Sequence, residues 1–360
     1  MPRERAFLVI VKPDREKRDS LRESFEEMKE LTLSAGGEVA GATEVRLERP
    51  SPSHYIREGK IAEIQEKVGK ERANLLIFNV DLTPGQARNI EQAVGVRAVD
   101  RTGLILDIFA RRARSREGKL QVEVAQLNYL LPRLVGHGVL LSRLGGGIGT
   151  RGPGEQKLEV DRRRIRERIS RLQEELEKLG RHRTLVRKGR KRKDFFSVAI
   201  VGYTNAGKSS LLNALTGAHA FVEDKLFATL DPMTRGAKRN GRRDILFTDT
   251  VGFLRDLPHG LIEAFRSTLE EATEADGLIH VLDAVHPYAE EQKESVEKVL
   301  KELGAGERPL ILALNKTDLM TPEEIERLRV KYPEGVFISA KEGTGLELLQ
   351  EKLESILKTG

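Results

Sequence analysis

The sequence predicts an α/β protein in three parts: an amino-terminal α/β domain over residues 1–117, a long antiparallel helical hairpin with a Gly-rich tip and basic linker over 118–194, and a carboxyl-terminal α/β domain with a doubly wound, mostly parallel sheet over 195–360. Three observations carry this. Short apolar runs alternate with amphipathic stretches at both ends of the chain, the pattern of βα units. The middle instead repeats apolar residues every three or four positions. With 39% apolar and 33% charged side chains, 360 residues suffice for two or three cores.

Phe7 to Val11 (FLVIV) reads as a buried strand, followed by a helix carrying Leu21, Phe25, Met28 and Leu31 on one face. Leu75 to Val80 is a second strand. It runs into Thr83-Pro84, where Thr caps a helix and Pro fits its first position. A shorter strand at Val96 to Val99 precedes a helix around Thr102 to Arg112. Leu120, Val124, Leu127, Leu131 and Leu134 then mark one helical stripe, and Ile165, Ile169, Leu172, Leu176 and Leu179 a second. Stripes this narrow pack on each other rather than on a large core. Between them lies the Gly- and Pro-rich turn from Leu144 to Glu155. After them comes a basic run, Arg181 to Lys193, whose like charges repel and which reads as a mobile linker or a phosphate contact.

The last segment alternates strands at Phe196–Val201, Ile245–Asp249, Leu278–Asp283, Leu310–Asn315 and Val336–Ser339 with helices at Gly207–Leu215, Gly260–Thr273, Ala289–Leu303 and Leu346–Leu357. Such a sheet holds its ligand at the carboxyl ends of its strands.

Composition closes off other classes. Without Cys there is no disulfide scaffold, thiolate metal site or cysteine nucleophile. No run approaches a membrane span, and the apolar stretch after Met1 is too short for a signal peptide, so a cytoplasmic protein is expected. Residues 1–195 hold 42 basic and 29 acidic side chains, net +13, whereas residues 196–360 hold 20 and 27, net −7. A basic half of this kind faces a polyanion, commonly nucleic acid.

The chemistry concentrates in the acidic half. Gly202 to Ser209 (Gly202, Tyr203, Thr204, Asn205, Ala206, Gly207, Lys208, Ser209) matches G-x-x-x-x-G-K-[ST] between a strand and a helix. The glycines admit backbone N–H groups to phosphate oxygens, Lys208 adds a full charge, and the Ser209 hydroxyl is placed to ligate Mg²⁺. Asp249-Thr250-Val251-Gly252 follows the strand ILFTD, where the carboxylate can hold a Mg²⁺-bound water and the Gly252 N–H can meet a γ-phosphate. Phe227-Ala228-Thr229-Leu230-Asp231 lies between, and Thr229 is expected to close over Mg²⁺ and the γ-phosphate, with Thr234 as the alternative. Asn315-Lys316-Thr317-Asp318 selects the base, because a carboxylate accepts from the two donors that guanine offers and adenine does not. Ser339-Ala340-Lys341 fits the accompanying contact to the guanine oxygen. The domain is therefore read as a P-loop GTPase (G) domain with GTP as substrate and GDP as product. Lys208, Thr229 and Gly252 would act on the reacting phosphate, and Ser209 and Thr229 on the metal.

Hydrolysis needs an oriented water, which a glutamine after the D-x-x-G glycine supplies in Ras-like enzymes. Here that position is Phe253, so turnover alone is expected to be slow and completed by a docked partner or a reorganised loop. Asn205 offers a further role in holding K⁺ as added positive charge; the alternative is a loop-stabilising hydrogen bond.

Taken together, GYTNAGKSSLLNAL, FATLDP, DTVGF, NKTD and SAK, with GGGIGTRGPGE and the helix QKLEVDRRRIRERI, resemble the HflX family of ribosome-associated GTPases over essentially the full length. The resemblance implies a GTPase that binds the large ribosomal subunit and its rRNA through the basic half, splits stalled ribosomes, and hydrolyses GTP faster on them. It makes Arg143, Arg151 and Arg162 to Arg164 candidate rRNA contacts. It also raises a second, ATP site, for which Arg57-Glu58-Gly59-Lys60 is the nearest match, although a lone Gly-Lys has no phosphate-loop frame. Some members carry an additional carboxyl-terminal domain, which is not expected here because the sequence ends at Gly360. A GTPase of large-subunit assembly and a GTP-regulated protein–protein switch are the alternatives, and a monomer is expected.

Overall fold

The computed structural model describes residues 4–13, 18–134, 153–192, 195–217, 226–237, 245–255, 257–258, 260–261 and 265–359. The chain divides into two units, Met1–Arg111 with Lys119–Leu176, and Arg112–Gly118 with Glu177–Gly360. The fold is α/β, as the alternation of apolar and amphipathic stretches predicts.

In the first unit, β1 (Arg5–Pro13), β2 (Glu38–Leu47), β3 (Leu75–Phe78) and β4 (Arg97–Val99) form an all-parallel sheet in the order β2-β1-β3-β4. FLVIV is apolar without interruption because β1 is central and covered on both faces. On one side Phe7, Val9 and Val11 join Ile61, Ile64 and Val68 of α2 (Glu58–Lys70) and Ile90 and Val94 of α3 (Pro84–Val94) in one core. Thr83 caps α3 in a reciprocal capping box with Gln86, and Gly95 closes the helix at φ 85°. Helices α1 (Arg18–Ser34) and α4 (Arg101–Arg112) complete the βα alternation.

Helix α5 (Arg116–Arg133) and the 40-residue α6 (Pro153–Arg192) carry the two stripes. Val124, Ile169 and Leu172 are buried between them, flanked by Leu120, Leu127, Leu131, Ile165 and Leu176. Glu123 pairs with Arg168 and Glu117 with Arg183, so the helices run antiparallel. Arg133 fixes α5 on the sheet domain. Its guanidinium lies 2.5 Å from the buried carboxylate of Asp100, which also accepts from Tyr129 Oη at 2.8 Å and from the Gly103 N–H at 2.8 Å. The run Arg181 to Lys193, read as a mobile linker or a phosphate contact, is helical as far as Arg192, since Lys and Arg are good helix formers. Of the predicted tip, residues 144–152, with Arg143 and Arg151, lie outside the described residues, and Pro153 to Glu155 begin α6.

The second sheet has the order β10-β9-β8-β5-β7-β6, built from β5 (Phe196–Gly202), β6 (Met233–Ala237), β7 (Ile245–Asp249), β8 (Gly277–Asp283), β9 (Leu310–Asn315) and β10 (Val336–Phe337). All pairs are parallel except β6 with β7. Val198, Ile200, Ile279, Val281, Ile311 and Ala313 pack against Leu211, Leu212 and Leu215 of α7 (Lys208–Thr216) and Leu349 and Leu353 of α11 (Leu346–Thr359). Helices α8 (Arg266–Glu274), α9 (Ala289–Glu302) and α10 (Pro322–Lys331) complete the unit. Among the described residues no helix is long and apolar enough to cross a membrane.

Candidate nucleotide site

The site grows from the end of the central strand. At Gly202 the chain leaves β5 with φ 154°, and a Cβ there would collide with the carbonyl oxygen of Val281 in β8. Gly207 has φ 94°, and a Cβ there would run into Asn315 Nδ2. Both positions need glycine for the close approach. The loop between them feeds directly into α7, whose amino terminus opens on a cleft lined by Thr204, Asn205 and Gly207–Ser210, by Phe227–Thr229, and by Thr250 and Gly252. Backbone N–H groups and a helix dipole converging on such a cleft favour an anion.

Lys208 donates to the Tyr203 carbonyl at 2.8 Å, and burial lowers its pKa to about 8, against the opposing pull of Asp249. Behind it, Ser209 Oγ donates to Asp249 Oδ2 at 2.6 Å and lies 2.8 Å from Thr229 Oγ1. Burial raises the Asp249 pKa, countered first by Lys208 and then by hydrogen bonds from Ser209 and Thr229. Asp249 Oδ1 is buried with no hydrogen-bond partner among the described residues. Two hydroxyls beside an orphaned carboxylate oxygen form the hard donor set that suits Mg²⁺, which keeps several waters and phosphate oxygens of its own. Among the described residues no cluster of three His, Cys, Asp or Glu competes for a metal.

The D-x-x-G loop is tied to the phosphate loop through backbone. Thr204 N donates to Phe253 O at 2.8 Å and Phe253 N to Gly202 O at 3.1 Å. Gly252 is held so close that a Cβ would lie 2.7 Å from Thr204 Cα. Phe253 is 2% exposed and faces the core. Phe227 sits at φ 55° and donates its N–H to Thr204 Oγ1 at 2.8 Å, which seats the Thr229 loop beside the cleft. The alternative, Thr234, lies in β6 with its hydroxyl 3.0 Å from Thr248 Oγ1. Val251 and Leu230 are buried and Asp231 turns its carboxylate away from the cleft, onto residues 114–118.

Asn315 joins the segments Asn315–Asp318 and Ser339–Lys341 to this loop. Its Nδ2 donates to Ala206 O at 2.9 Å, while its Oδ1 accepts from the Ala340 N–H at 2.9 Å. Ser339 Oγ donates to Asp318 Oδ1 at 2.6 Å and Thr317 Oγ1 to Ile338 O at 2.9 Å, so the carboxylate is fixed in orientation. Lys341 is exposed. Two contributors are not in the sequence-based set. Ser210 lines the cleft, and Asp283 holds Lys316 at 2.6 Å. Asp283 ends an apolar strand just as Asp249 does, and that parallel is a legible signal. Gly59 and Lys60 lie in the first turn of α2, where Lys60 pairs with Glu63 at 2.6 Å.

A doubly wound sheet with this loop at its switch point defines a P-loop GTPase, an enzyme that binds and hydrolyses GTP. Comparison with known proteins narrows the class. The chain matches the models described as GTP-binding GTPase N-terminal over residues 22–110, GTP-binding GTPase Middle Region over 112–190 and 50S ribosome-binding GTPase over 197–316. It is 54% identical over 352 residues to the GTPase HflX of Caldanaerobacter subterraneus subsp. tengcongensis, covering 98% of this chain and 80% of that protein. To the GTPase HflX of Escherichia coli K12 it is 44% identical over 337 residues, covering 93% and 79%. A crystal structure of SsGBP with GDP aligns over 99% of each chain with a TM-score of 0.50 and 29% identity. The chain belongs to the HflX family of GTPases.

Proposed function

We propose that the chain is a GTP-driven factor of the large ribosomal subunit that engages rRNA through its basic first half and splits or rescues stalled ribosomes. The observation that supports this best is the match of residues 197–316 to the 50S ribosome-binding GTPase description, on a chain whose first 195 residues carry net +13. Lys208 and the loop amides bind the phosphates, Gly252 presents its N–H to the γ-phosphate, and Asp318 accepts from guanine. Ser209 and Thr229 would hold Mg²⁺, which supplies charge neutralisation on the phosphate oxygens. Thr229 answers to the presence of the terminal phosphate. With a buried phenyl ring at position 253, the attacking water lacks a side chain to orient it there, so turnover alone is slow and rises on ribosomes.

The test is GTP hydrolysis with and without purified large subunits, in K⁺ and again in Na⁺. At least a tenfold stimulation by subunits is expected, and an unchanged rate with intact bacterial ribosomes would overturn the proposal. A rate that responds to K⁺ over Na⁺ would assign Asn205 to a monovalent cation; equal rates would leave it a loop-stabilising residue.

A further inference from the structure

Asp231 lies two residues beyond Thr229, yet its carboxylate serves a segment far away in sequence. Oδ2 accepts from the Arg114 N–H at 2.8 Å and the Ser115 N–H at 2.7 Å, and Oδ1 accepts from the Ser115 hydroxyl. Ser115 Oγ in turn accepts from the Gly118 N–H at 2.9 Å and so closes the first turn of α5. The fit leaves no slack, since a Cβ on Gly118 would collide with Asp231 Oδ1. The same turn is held on another side by Arg183, which pairs with Glu117 at 3.0 Å and with Glu270 of α8 at 3.4 Å. Beyond Gly118 the helix continues as the first arm of the hairpin.

We propose that Asp231 is a positioning residue that couples the nucleotide state of the cleft to the root of the hairpin. This rests on the reading that the Thr229 loop answers to the terminal phosphate. While Thr229 is seated beside Ser209, Asp231 reaches the amides of residues 114 and 115. When the loop withdraws, three charge-assisted hydrogen bonds go with it, and the start of α5 keeps its ion pair with Arg183 but loses the anchor on Asp231. Coupling is reciprocal, so a partner that pulls on the hairpin also changes how firmly Thr229 is seated.

Hydrogen exchange of the full chain reads this directly. Amides 113–118 should exchange about tenfold more slowly with a non-hydrolysable GTP analogue than with GDP, with fluorescent-nucleotide titrations run in parallel. Gly118→Ala is the decisive variant, because Ala favours a helix more than Gly does while its methyl displaces Asp231. It should bring the nucleotide-dependent difference below twofold with GDP affinity within threefold of the parent. Asp231→Asn, which keeps one acceptor oxygen, should give an intermediate loss. Equal protection in both nucleotides while both bind, or an undiminished difference in Gly118→Ala, would overturn the coupling. Failure of the parent chain to bind guanine nucleotides would instead bring down the site reading, and the coupling with it.

Discussion

At the scale of single residues, polar groups divide into those proposed to meet a ligand and those that meet none. Asp318 belongs to the first kind. Its exposed carboxylate accepts from Ser339 Oγ and, on the function proposed above, from a guanine edge. Asp318→Asn replaces an acceptor with a donor, which should cut GTP affinity by about 100-fold or more while favouring xanthosine triphosphate, whose ring offers a carbonyl in place of the amine. Competition binding with the two nucleotides checks this, and an unchanged preference would undo the guanine assignment. His280 is of the second kind. It is fully buried in β8, neither ring nitrogen has a hydrogen-bond partner among the described residues, and burial, with Lys293 and Lys208 adding to it, lowers its pKa to about 3. The folded state therefore holds a neutral ring, while the unfolded chain takes up a proton below its ordinary pKa of about 6.5. Stability falls as pH drops through that window, by about 2 kcal/mol at pH 5 from this group. His280→Leu should remove that slope, so its urea midpoint should shift less between pH 7 and pH 5 than the parent's.

Among elements, legibility followed burial. Strands covered on both faces, such as β1, β5 and β8, are mostly apolar runs and are legible as such, even with His280 inside β8. Edge strands were not: β2 mixes exposed and buried positions along EVAGATEVRL, and β6 (MTRGA) has no fully buried residue. Helix α10 has no buried residue either, yet Thr321-Pro322 with Glu324 repeats the capping signal of α3. In the site, motifs contiguous along the chain were legible. Contacts that depend on folding, such as Asp231 with Ser115, are not, since nothing in either segment names the other. The hairpin offers an element-scale test, because among the described residues its fully buried cluster is Val124, Ile169 and Leu172. Leu172→Ala should cost about 2–3 kcal/mol, in the lower part of the range for buried Leu, since so narrow a seam can relax. Leu179, half-buried and outside the cluster, should cost less than about 1 kcal/mol on the same change. Hydrogen exchange of α5 and α6 amides would rank the two, and equal costs would mean that the stripe is not the seam.

For the molecule as a whole, the separation of charge sets the expected physics of association. Net +13 over residues 1–195 against −7 over residues 196–360 makes the first half the one suited to a polyanion such as the rRNA proposed above. If that asymmetry drives ribosome binding, affinity must fall steeply with salt, because each basic side chain that meets a phosphate releases a counterion. Arg163 and Arg164 test the location of the contact without disturbing the core. Their side chains are 81% and 75% exposed, and their pairs with Glu167 and Asp161 are local ones on the surface of α6. Such pairs contribute about 1 kcal/mol at most, so Arg163→Ala with Arg164→Ala should leave folding and the intrinsic GTPase rate unchanged. It should weaken binding to large subunits and reduce the slope of log affinity against log salt by about 1–2. An unaltered slope would place the RNA contact elsewhere on the basic half. A salt-insensitive affinity in the parent chain would go further, since the hairpin would then be docking through apolar surface and the charge asymmetry would have no part in binding.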